Sequence, residues 1–235
     1  MTDRLPETYD VAFYSGQLTG NEAREIVLLA QVLWERFRTE PHEVTMTGPN
    51  GPYKIVVRDS DVSNVLDVGC GMGAFLLAFR SLGVPKVTGV EHPHLYRTVG
   101  TAALPVGIPY EFRDLADPLP GVYLEVWDKC DLVLCLEVLE HLDAHGADQL
   151  ALTLSRLHGR LVISAAVPGQ GGTEHINERP LQYWVNKFAD FGRTLNLEDT
   201  EWVRAEFRER SIRDHGSVYC EWYARNLMVF DPVRR

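Results

Sequence analysis

The sequence predicts an α/β fold built on a doubly wound, seven-stranded and mostly parallel sheet. A short apolar run over residues 64–68 leads directly into glycines at positions 69, 71 and 73. An apolar pattern with helical spacing follows from Ala74, which is the order of strand, tight turn and helix that opens a parallel sheet. Further runs over 86–91 and 131–136 lead to the acids Glu91 and Glu137, and the second run is almost wholly apolar, as a strand buried on both faces should be.

The remaining elements follow from local signals. A helix is predicted over 19–37, because Thr19 and Asn21 offer caps and apolar residues recur at helical spacing. A Pro/Asn/Gly turn between β-rich runs at 43–47 and 53–57 predicts a β-hairpin. The other predicted strands cover 110–115, 160–167, 194–197 and 224–230, and the other helices cover 74–82, 146–157, 181–188 and 198–213. Residues 1–59 then form an N-terminal helix and hairpin, and residues 60–235 form the main domain.

The glycine turn predicts a ligand-binding site. Gly69 and Gly71 can adopt φ values that a side chain would disfavour, and with Gly73 they let a ligand lie against the main chain near a helix N-terminus. Gly69, Gly71 and Ala74 also fit the fingerprint of dinucleotide-binding enzymes. Asp67 favours a different ligand, because its carboxylate would repel a pyrophosphate but attract a cation or an amine.

On these residues the chain resembles the class I S-adenosylmethionine-dependent methyltransferases, over roughly residues 60–231, and the Rossmann-like fold of that family is the one expected here. The resemblance implies that the turn contacts the methionine and ribose parts of the cofactor, that Glu91 binds the ribose hydroxyls with His92 beside it, and that Asp114 and Leu115 meet the adenine. The predicted cofactor-binding residues are Asp67, Gly69, Cys70, Gly71, Gly73, Glu91, His92, Asp114, Leu115 and Glu137.

The family resemblance also bears on the first 59 residues. A segment that precedes the first sheet strand often covers the cofactor or substrate in this family, which makes Tyr9, Tyr14 and Gln17 candidate lid residues. The alternative is that the aromatic side chains only pack the N-terminal helix onto the domain. The hairpin is expected to contact a neighbouring subunit in a homodimer or to form a wall of the substrate site, and these two roles stay open.

Glu137, Glu140 and His141 form a candidate metal site after the fourth strand of the parallel sheet. Their spacing places them on one face of the first turn of a helix, provided that the helix begins at Glu137. Two carboxylates and an imidazole suit Mg²⁺, Mn²⁺, Fe²⁺ or Zn²⁺, and His175 could be the fourth ligand. The metal residues predicted are therefore Glu137, Glu140, His141 and His175, and the catalytic residues are Glu140, His141 and His175.

The motif E-V-L-E-H with a later histidine resembles two groups of metal-using methyltransferases: ubiquinone-biosynthesis O-methyltransferases and small-RNA 2′-O-methyltransferases. A metal at this position would bind a substrate hydroxyl and lower its pKa. Many class I members have a similar Glu-His pair without a metal. In that alternative the acid faces the cofactor, and His141 or His175 is the general base.

The loop over 168–180 is too long and too polar for a simple connection. It resembles the loop that walls the acceptor pocket in bacterial small-molecule and saccharide-associated methyltransferases. Arg179 could pair with an acceptor carboxylate through its guanidinium. The candidate acceptor contacts are Gln170, His175, Asn177, Arg179, Tyr183 and Trp184.

The charge and composition of the chain restrict the binding partners and the cellular location that are expected. The net charge is −10 and no basic tract is present, which argues against a nucleic-acid substrate. Four cysteines without CxxC spacing predict reduced thiols rather than a zinc site or disulfides. The chain shows neither a signal peptide nor a membrane-spanning run, so a cytoplasmic location is expected.

These observations predict an O-methyltransferase that acts on a small hydroxylated or carboxylated acceptor, such as a natural product or a saccharide, with a divalent metal as an optional aid. The alternative within the same enzyme class is 2′-O-methylation of an RNA end. A non-catalytic cofactor-binding or scaffold protein and a nicotinamide oxidoreductase are the alternatives outside it.

Overall fold

The computed structural model describes residues 18–38, 42–48, 51–57, 62–118 and 126–232. Within these ranges there are eight strands and seven α-helices. The strands are β1 (His42–Gly48), β2 (Gly51–Val57), β3 (Asn64–Val68), β4 (Lys86–Glu91), β5 (Tyr110–Phe112), β6 (Leu132–Leu136), β7 (Arg160–Ser164) and β8 (Met228–Phe230). The helices are α1 (Gly20–Phe37), α2 (Ala74–Ser81), α3 (Pro93–Val99), α4 (Ala144–Ser155), α5 (Leu181–Asp190), α6 (Leu197–His215) and α7 (Glu221–Asn226).

The central sheet has six strands in the order β5-β4-β3-β6-β7-β8. The first five run parallel, and β8 pairs antiparallel with β7. The chain winds outward from β3 to β5 on one side, and then returns to the other side of β3 to form β6. This reversal places a crevice at the carboxyl ends of β3 and β6, where open α/β sheets bind their ligands.

Helices cover both faces of the sheet. The helices α1, α2, α6 and α7 contribute to one core with alternate strand residues such as Val65 and Leu134, whereas α4 and α5 contribute to a second core with the intervening residues, such as Leu66 and Val133. Because successive strand side chains point to opposite faces, both sets must be apolar. This confirms the α/β class and explains the continuous apolar run of β6.

The sheet is one strand shorter than predicted in the described part of the chain. Residues 194–197 form only an isolated bridge between Leu195 and Phe230. The side chain of Asn196 accepts a hydrogen bond from the Asp199 amide at 2.8 Å and thereby caps α6, so the backbone turns into a helix at Leu197.

The predicted last strand over 224–230 is also wrong in its first half, which is α7. The buried carboxylate of Glu25 on α1 accepts the amides of Tyr219, at 2.8 Å, and Cys220 just before α7 begins. These contacts satisfy backbone donors at the start of the helix, and β8 is left with three residues. The predicted strands 110–115 and 160–167 likewise end earlier, at Phe112 and Ser164.

The N-terminal helix and the hairpin are confirmed. The hairpin pairs β1 with β2 in antiparallel register, with Gly48 opposite Gly51. Its role in a homodimer or a substrate site stays a prediction, as does the division at residue 59. The candidate lid residues Tyr9, Tyr14 and Gln17 lie outside the described residues. All four cysteines are free and buried, and no helix in the described ranges combines the length and apolarity needed to cross a bilayer.

Candidate active site

The turn after β3 is held by backbone contacts that suit glycine. Gly69, Gly71 and Gly73 have φ values of 79°, 50° and 76°, in the left-handed region that disfavours side chains. A Cβ atom would overlap the side chain of Val138 at Gly69 and the hydroxyl of Tyr110 at Gly73. The turn therefore presents bare main chain at the N-terminus of α2, as the sequence predicted.

Glu91, at the end of β4, is directed toward this turn. Its two carboxylate oxygens accept hydrogen bonds from the amides of Gly71, at 2.7 Å, and His92, at 2.6 Å. Burial raises the pKa of Glu91, and these two hydrogen bonds lower it in part. The side chain of His92 accepts from the His94 amide at 3.2 Å and caps α3. That Glu91 binds the ribose hydroxyls stays a prediction. Its carboxylate does lie against the glycine turn.

Asp67 lies beneath the turn with an unsatisfied oxygen. The residue is 3% exposed, and its Oδ2 atom has no hydrogen-bond partner in the described structure. Burial, with a further contribution from the charge of Glu91, raises the pKa of Asp67 to about 8. A buried carboxylate without a partner is costly, and such a group is expected to have a ligand.

A cavity of about 50 Å³ adjoins Asp67. Besides the turn, its lining includes Glu22 and Ile26 of α1 and Tyr223 of α7. Sequence analysis did not identify Glu22 or Tyr223 as site residues, since α1 and α7 are far from the glycine motif along the chain. One signal was present for Glu22: it precedes the buried Ile26 by four residues, which puts both on the same face of α1.

Asp114 and Leu115 follow β5 at the same edge of the sheet as Glu91. The amide of Arg113 donates to the Glu91 carbonyl at 2.9 Å, which ties this exit to β4. Leu115 is buried, whereas Asp114 is exposed and accepts a hydrogen bond from the Ala116 amide at 2.9 Å. Their predicted adenine contacts are compatible with this position and are not tested by it.

The turn after β6 differs from the predicted helical turn. Glu137 has a φ of 54°, and only residues Leu139–His141 form a short 3₁₀ turn. The Glu137 amide donates to the Ser164 carbonyl at 3.0 Å, and its carboxylate accepts from Gln170 at 2.8 Å. Among the described residues, the side chains close enough to share a metal ion are Glu140, His141 and His175, without Glu137. The predicted role of Glu137 as a metal ligand stays a prediction.

Glu140, His141 and His175 do come together. Each offers a ligand atom, and these atoms lie within 4.8 Å of one another. The two imidazole rings are 4.9 Å apart at an angle of 78°. Glu140 is fully buried, and its Oε1 accepts from the Ala166 amide at 3.1 Å while Oε2 has no partner in the described structure. One carboxylate oxygen and two imidazoles are a donor set that fits a divalent metal.

The protonation states of the group follow from burial. Burial raises the pKa of Glu140 well above its usual range, and the charge of Glu137 raises it further. Burial lowers the pKa of His141 to about 4, with a contribution from His175. His141 is therefore neutral near pH 7, the state in which an imidazole can accept a proton or bind a metal.

The loop 168–180 wraps around this group and is internally bonded. Gln170 bridges two elements, because it donates to Glu137 and accepts from the Asn226 amide group at 2.6 Å. Arg179 donates to the buried Asn177 at 2.8 Å and lies 5.2 Å from the ring centre of Tyr183. Trp184 is fully buried in the core, so it cannot contact an acceptor as predicted.

A groove of about 460 Å³ runs beside the loop. Residues 167–170 form one wall, and α7 forms the other through Glu221, Trp222, Arg225 and Asn226. Gln170 and Asn226 link this groove to Glu137 through the hydrogen bonds just described. The groove thus lies along the start of the loop that follows β7 and is connected to Glu137 through Gln170.

Comparisons with known proteins agree with this architecture. A family model described as "Methyltransferase domain" matches residues 36–189. A structure of an O-methyltransferase family protein from Burkholderia thailandensis is 14% identical, with 94% of this chain covered and a TM-score of 0.55. A SAM dependent methyltransferase from Archaeoglobus fulgidus is 16% identical, with 77% of this chain and 74% of that chain covered and a TM-score of 0.50.

A complex that contains the Haloferax volcanii Trm112 methyltransferase activator also matches, at 14% identity, with 96% of this chain and 95% of that chain covered and a TM-score of 0.54. The chain spans 58% of the Burkholderia protein, and 38% of a further match described as a pericyclic reaction enzyme. A search of the curated proteins found no match. The family model covers most of the chain and leads to one conclusion: the chain belongs to the methyltransferase domain family.

Proposed function

We propose that this chain transfers the methyl group of S-adenosylmethionine to an oxygen of a small hydroxylated or carboxylated acceptor, as a cytoplasmic biosynthetic enzyme. One observation carries the proposal: the glycine turn lies after β3, and the Glu140–His141–His175 group lies after β6 and β7, which are the next two strands of the sheet. A cofactor and an acceptor base placed at neighbouring strand ends meet in one crevice.

The cofactor side uses the residues around the glycine turn. Gly69, Cys70, Gly71 and Gly73 offer main chain for close approach, and Glu91 has two carboxylate oxygens near the turn for ribose hydroxyls. Asp67 supplies a negative charge beneath the turn, suited to the cationic end of the methionine part. His92, Asp114 and Leu115 line the edge beyond Glu91, where the base is proposed to lie.

Methyl transfer from a sulfonium is a displacement, so the protein has to align the acceptor and see that its hydroxyl loses its proton. Glu140, His141 and His175 would hold a divalent metal here, through a carboxylate oxygen and two imidazoles. Such a metal supplies a lowered pKa for the acceptor hydroxyl. If no metal binds, the neutral His141 or the adjacent His175 serves as the general base.

The groove between residues 167–170 and α7 is our proposed acceptor entrance. The ring of Trp222 and the guanidinium of Arg225 face this space, and the Arg225 side chain is 68% exposed. An aromatic face and a guanidinium suit a flat molecule with a carboxylate. The net charge of −10 and the lack of a basic tract favour a small acceptor over an RNA end.

Calorimetry with S-adenosylhomocysteine and with NADH tests the cofactor. We expect S-adenosylhomocysteine to bind and NADH not to bind. Preferential binding of NADH would refute the proposal. The reaction is then tested by measuring how much S-adenosylhomocysteine is formed with a panel of hydroxylated aryl carboxylates and saccharides. The protein is first treated with a chelator, and Mg²⁺, Mn²⁺, Fe²⁺ or Zn²⁺ is added back. Filter binding to a short RNA at two salt concentrations tests the alternative acceptor.

A further inference from the structure

The carboxylate of Glu178 contacts three groups of the loop 168–180 at once. Its Oε2 atom accepts a hydrogen bond from the Gly169 amide at 2.7 Å, and its Oε1 atom accepts one from the Gly171 amide at 2.9 Å. Oε1 also lies 3.3 Å from Nδ1 of His175. The Glu178 side chain is 21% exposed, so most of it is covered by the protein. One carboxylate thus holds the backbone of the loop and an imidazole of the proposed active site together.

These contacts determine which nitrogen of His175 carries the proton. A backbone amide can only donate, so both oxygens of Glu178 act as acceptors in their bonds to the loop. The His175 nitrogen that faces Oε1 is therefore the donor, which makes it Nδ1–H. In a neutral imidazole the other nitrogen, Nε2, then has the lone pair. His175 offers Nε2 as the atom that can bind a metal or accept a proton.

Two further contacts restrain the plane of the His175 ring. A Cβ atom at Gly172 would overlap Cε1 and Nε2 of the ring, so the imidazole packs directly against the main chain at this position. The ring of His141 lies 4.9 Å away at an angle of 78°. Packing of this kind limits the tilt of the ring but does not distinguish two orientations related by a half-turn. The bond to Glu178 makes that distinction, because it selects Nδ1.

We propose that Glu178 is a positioning residue for His175: its carboxylate fixes the Nδ1–H tautomer and leaves Nε2 for the Glu140–His141–His175 group. This inference rests on the proposed role of His175 as a metal ligand or general base. It adds a residue that acts through the imidazole rather than on the acceptor. A carboxylate bonded to the second nitrogen of an imidazole also raises its basicity, which favours either role.

The same carboxylate connects the imidazole to the proposed acceptor entrance. Gly169 lines the groove between residues 167–170 and α7. Because Glu178 binds both the Gly169 amide and the His175 ring, the position of the imidazole is tied to that of the groove wall. The ring is therefore held in place before an acceptor arrives, which lowers the entropic cost of reaching a reactive geometry.

The tautomer of His175 can be observed directly. In ¹⁵N-labelled protein at alkaline pH, where imidazoles are neutral, long-range ¹H–¹⁵N correlation spectra distinguish Nδ1–H from Nε2–H. His175→Ala identifies the signals of His175, and we expect Nδ1–H in the wild type. Glu178→Gln should shift His175 toward Nε2–H, since a side-chain amide can donate to Nδ1 as well as accept from it. His141 should keep its tautomer, because its Nδ1 contacts the Glu174 carbonyl at 3.3 Å.

The functional consequence is measured separately. Glu178→Gln should lower turnover by about 10- to 100-fold, the usual effect of removing such a partner, and should lower the affinity for Zn²⁺ by a similar factor if the group binds a metal. The affinity for S-adenosylhomocysteine should not change, because Glu178 contacts the loop after β7 and not the glycine turn. Glu201→Gln makes the same change of charge at an exposed position on α6 and should alter none of these quantities.

The outcomes separate this inference from the proposed function. Nε2–H at His175 in the wild type, or the same tautomer in wild type and Glu178→Gln, would overturn the role of Glu178 and leave the proposed methyl transfer standing. Changes at His141 and His175 together would indicate a general disturbance of the loop and would overturn it as well. Full turnover in His175→Ala would instead refute the proposed role of His175, and this inference with it. Thermal unfolding of Glu178→Gln is the folding control, and we expect cooperative unfolding near the wild-type temperature.

Discussion

The two ends of the crevice are built in different ways. The turn after β3 is shaped by main chain, with three glycines in the left-handed region and Glu91 bonded to the Gly71 and His92 amides. The turn after β6 is shaped by side chains from three separate segments, with Glu140 and His141 meeting His175 from the loop after β7. Glycine spacing predicted the backbone of the first end correctly, whereas the helix predicted to begin at Glu137 is only a short 3₁₀ turn over Leu139–His141 at the second.

This contrast shows which kind of site a short sequence motif can specify. Glycine restricts the local backbone directly, so a pattern of glycines determines the shape of a turn over a few residues. A group of side chains depends on the path of every segment that contributes to it. The first end should therefore be sensitive to backbone changes, and the second to changes in functional groups.

The largest effect should come from a change in the glycine turn after β3. Gly71→Val places a β-branched residue at a φ of 50°, which strains the turn and fills the space needed for the cofactor. We expect the affinity for S-adenosylhomocysteine, measured by calorimetry, to fall by about 100-fold or more. Gly83→Val is the matched control, because Gly83 has a φ of 89° with nothing near its Cβ position. Similar affinity losses in both variants would mean that Gly71 acts through global stability alone.

The next largest effect should come from changes in the Glu140–His141–His175 group. Glu140→Gln keeps an acceptor for the Ala166 amide but removes the carboxylate, and His175→Ala removes one imidazole. We expect turnover to fall on the order of 100-fold in each variant, while the affinity for S-adenosylhomocysteine stays within about 3-fold.

Chelation distinguishes the two mechanisms at this end. If a metal binds, the wild type should lose turnover after chelation and recover it with one divalent ion, and Glu140→Gln should not recover. Unchanged turnover after chelation would show that no metal takes part in the reaction, and His141 or His175 would then be the general base.

A smaller effect concerns the acid beneath the glycine turn. Because the pKa of Asp67 is raised to about 8, the folded state keeps a proton that the unfolded state releases above its value of 3.8. Wild-type stability should therefore fall as pH rises through this window. In Asp67→Asn this loss is absent, so the variant should exceed the wild type by a few kcal/mol at about pH 8.5 and approach it at about pH 5.

Urea unfolding of both proteins across pH measures this difference, since titrations elsewhere in the protein contribute equally to both. The same variant should bind S-adenosylhomocysteine more weakly than the wild type. A stability gap that did not change with pH would show that Asp67 is not the titrating group.

The smallest effect should come from Gln170, which connects the second end to the groove. Gln170→Ala removes the hydrogen bonds to Glu137 and Asn226, each worth about 1 kcal/mol in stability. We expect a decrease in turnover of about 3- to 10-fold with little change in cofactor affinity. Gln182→Ala, which removes only an exposed bond to Asn186, provides the comparison and should retain turnover. Equal turnover in the two variants would argue that Glu137 does not depend on Gln170.

Much of the fold was predictable from local signals. The apolar runs of β3, β4 and β6, the glycine turn, the N-terminal helix and the hairpin appear where the sequence predicted them. The errors occurred where distant contacts outweighed local preference. Residues 224–226 have a strand-like pattern in isolation, but Glu25, about 200 residues earlier, caps the helix that includes them.

The amino-acid sequence alone was enough to predict the α/β class, the glycine turn and the acid at the end of β4, because each depends on a few adjacent residues and on the pattern of burial in a parallel sheet. The tertiary structure was needed to show that Glu137 has a left-handed backbone and accepts a bond from Gln170, that His175 joins Glu140, and that Glu22 of α1 lines the same cavity as Asp67. Each of these depends on a segment that packs against another from far along the chain. Such contacts are set by the burial of whole helices and loops, and no local spacing encodes them.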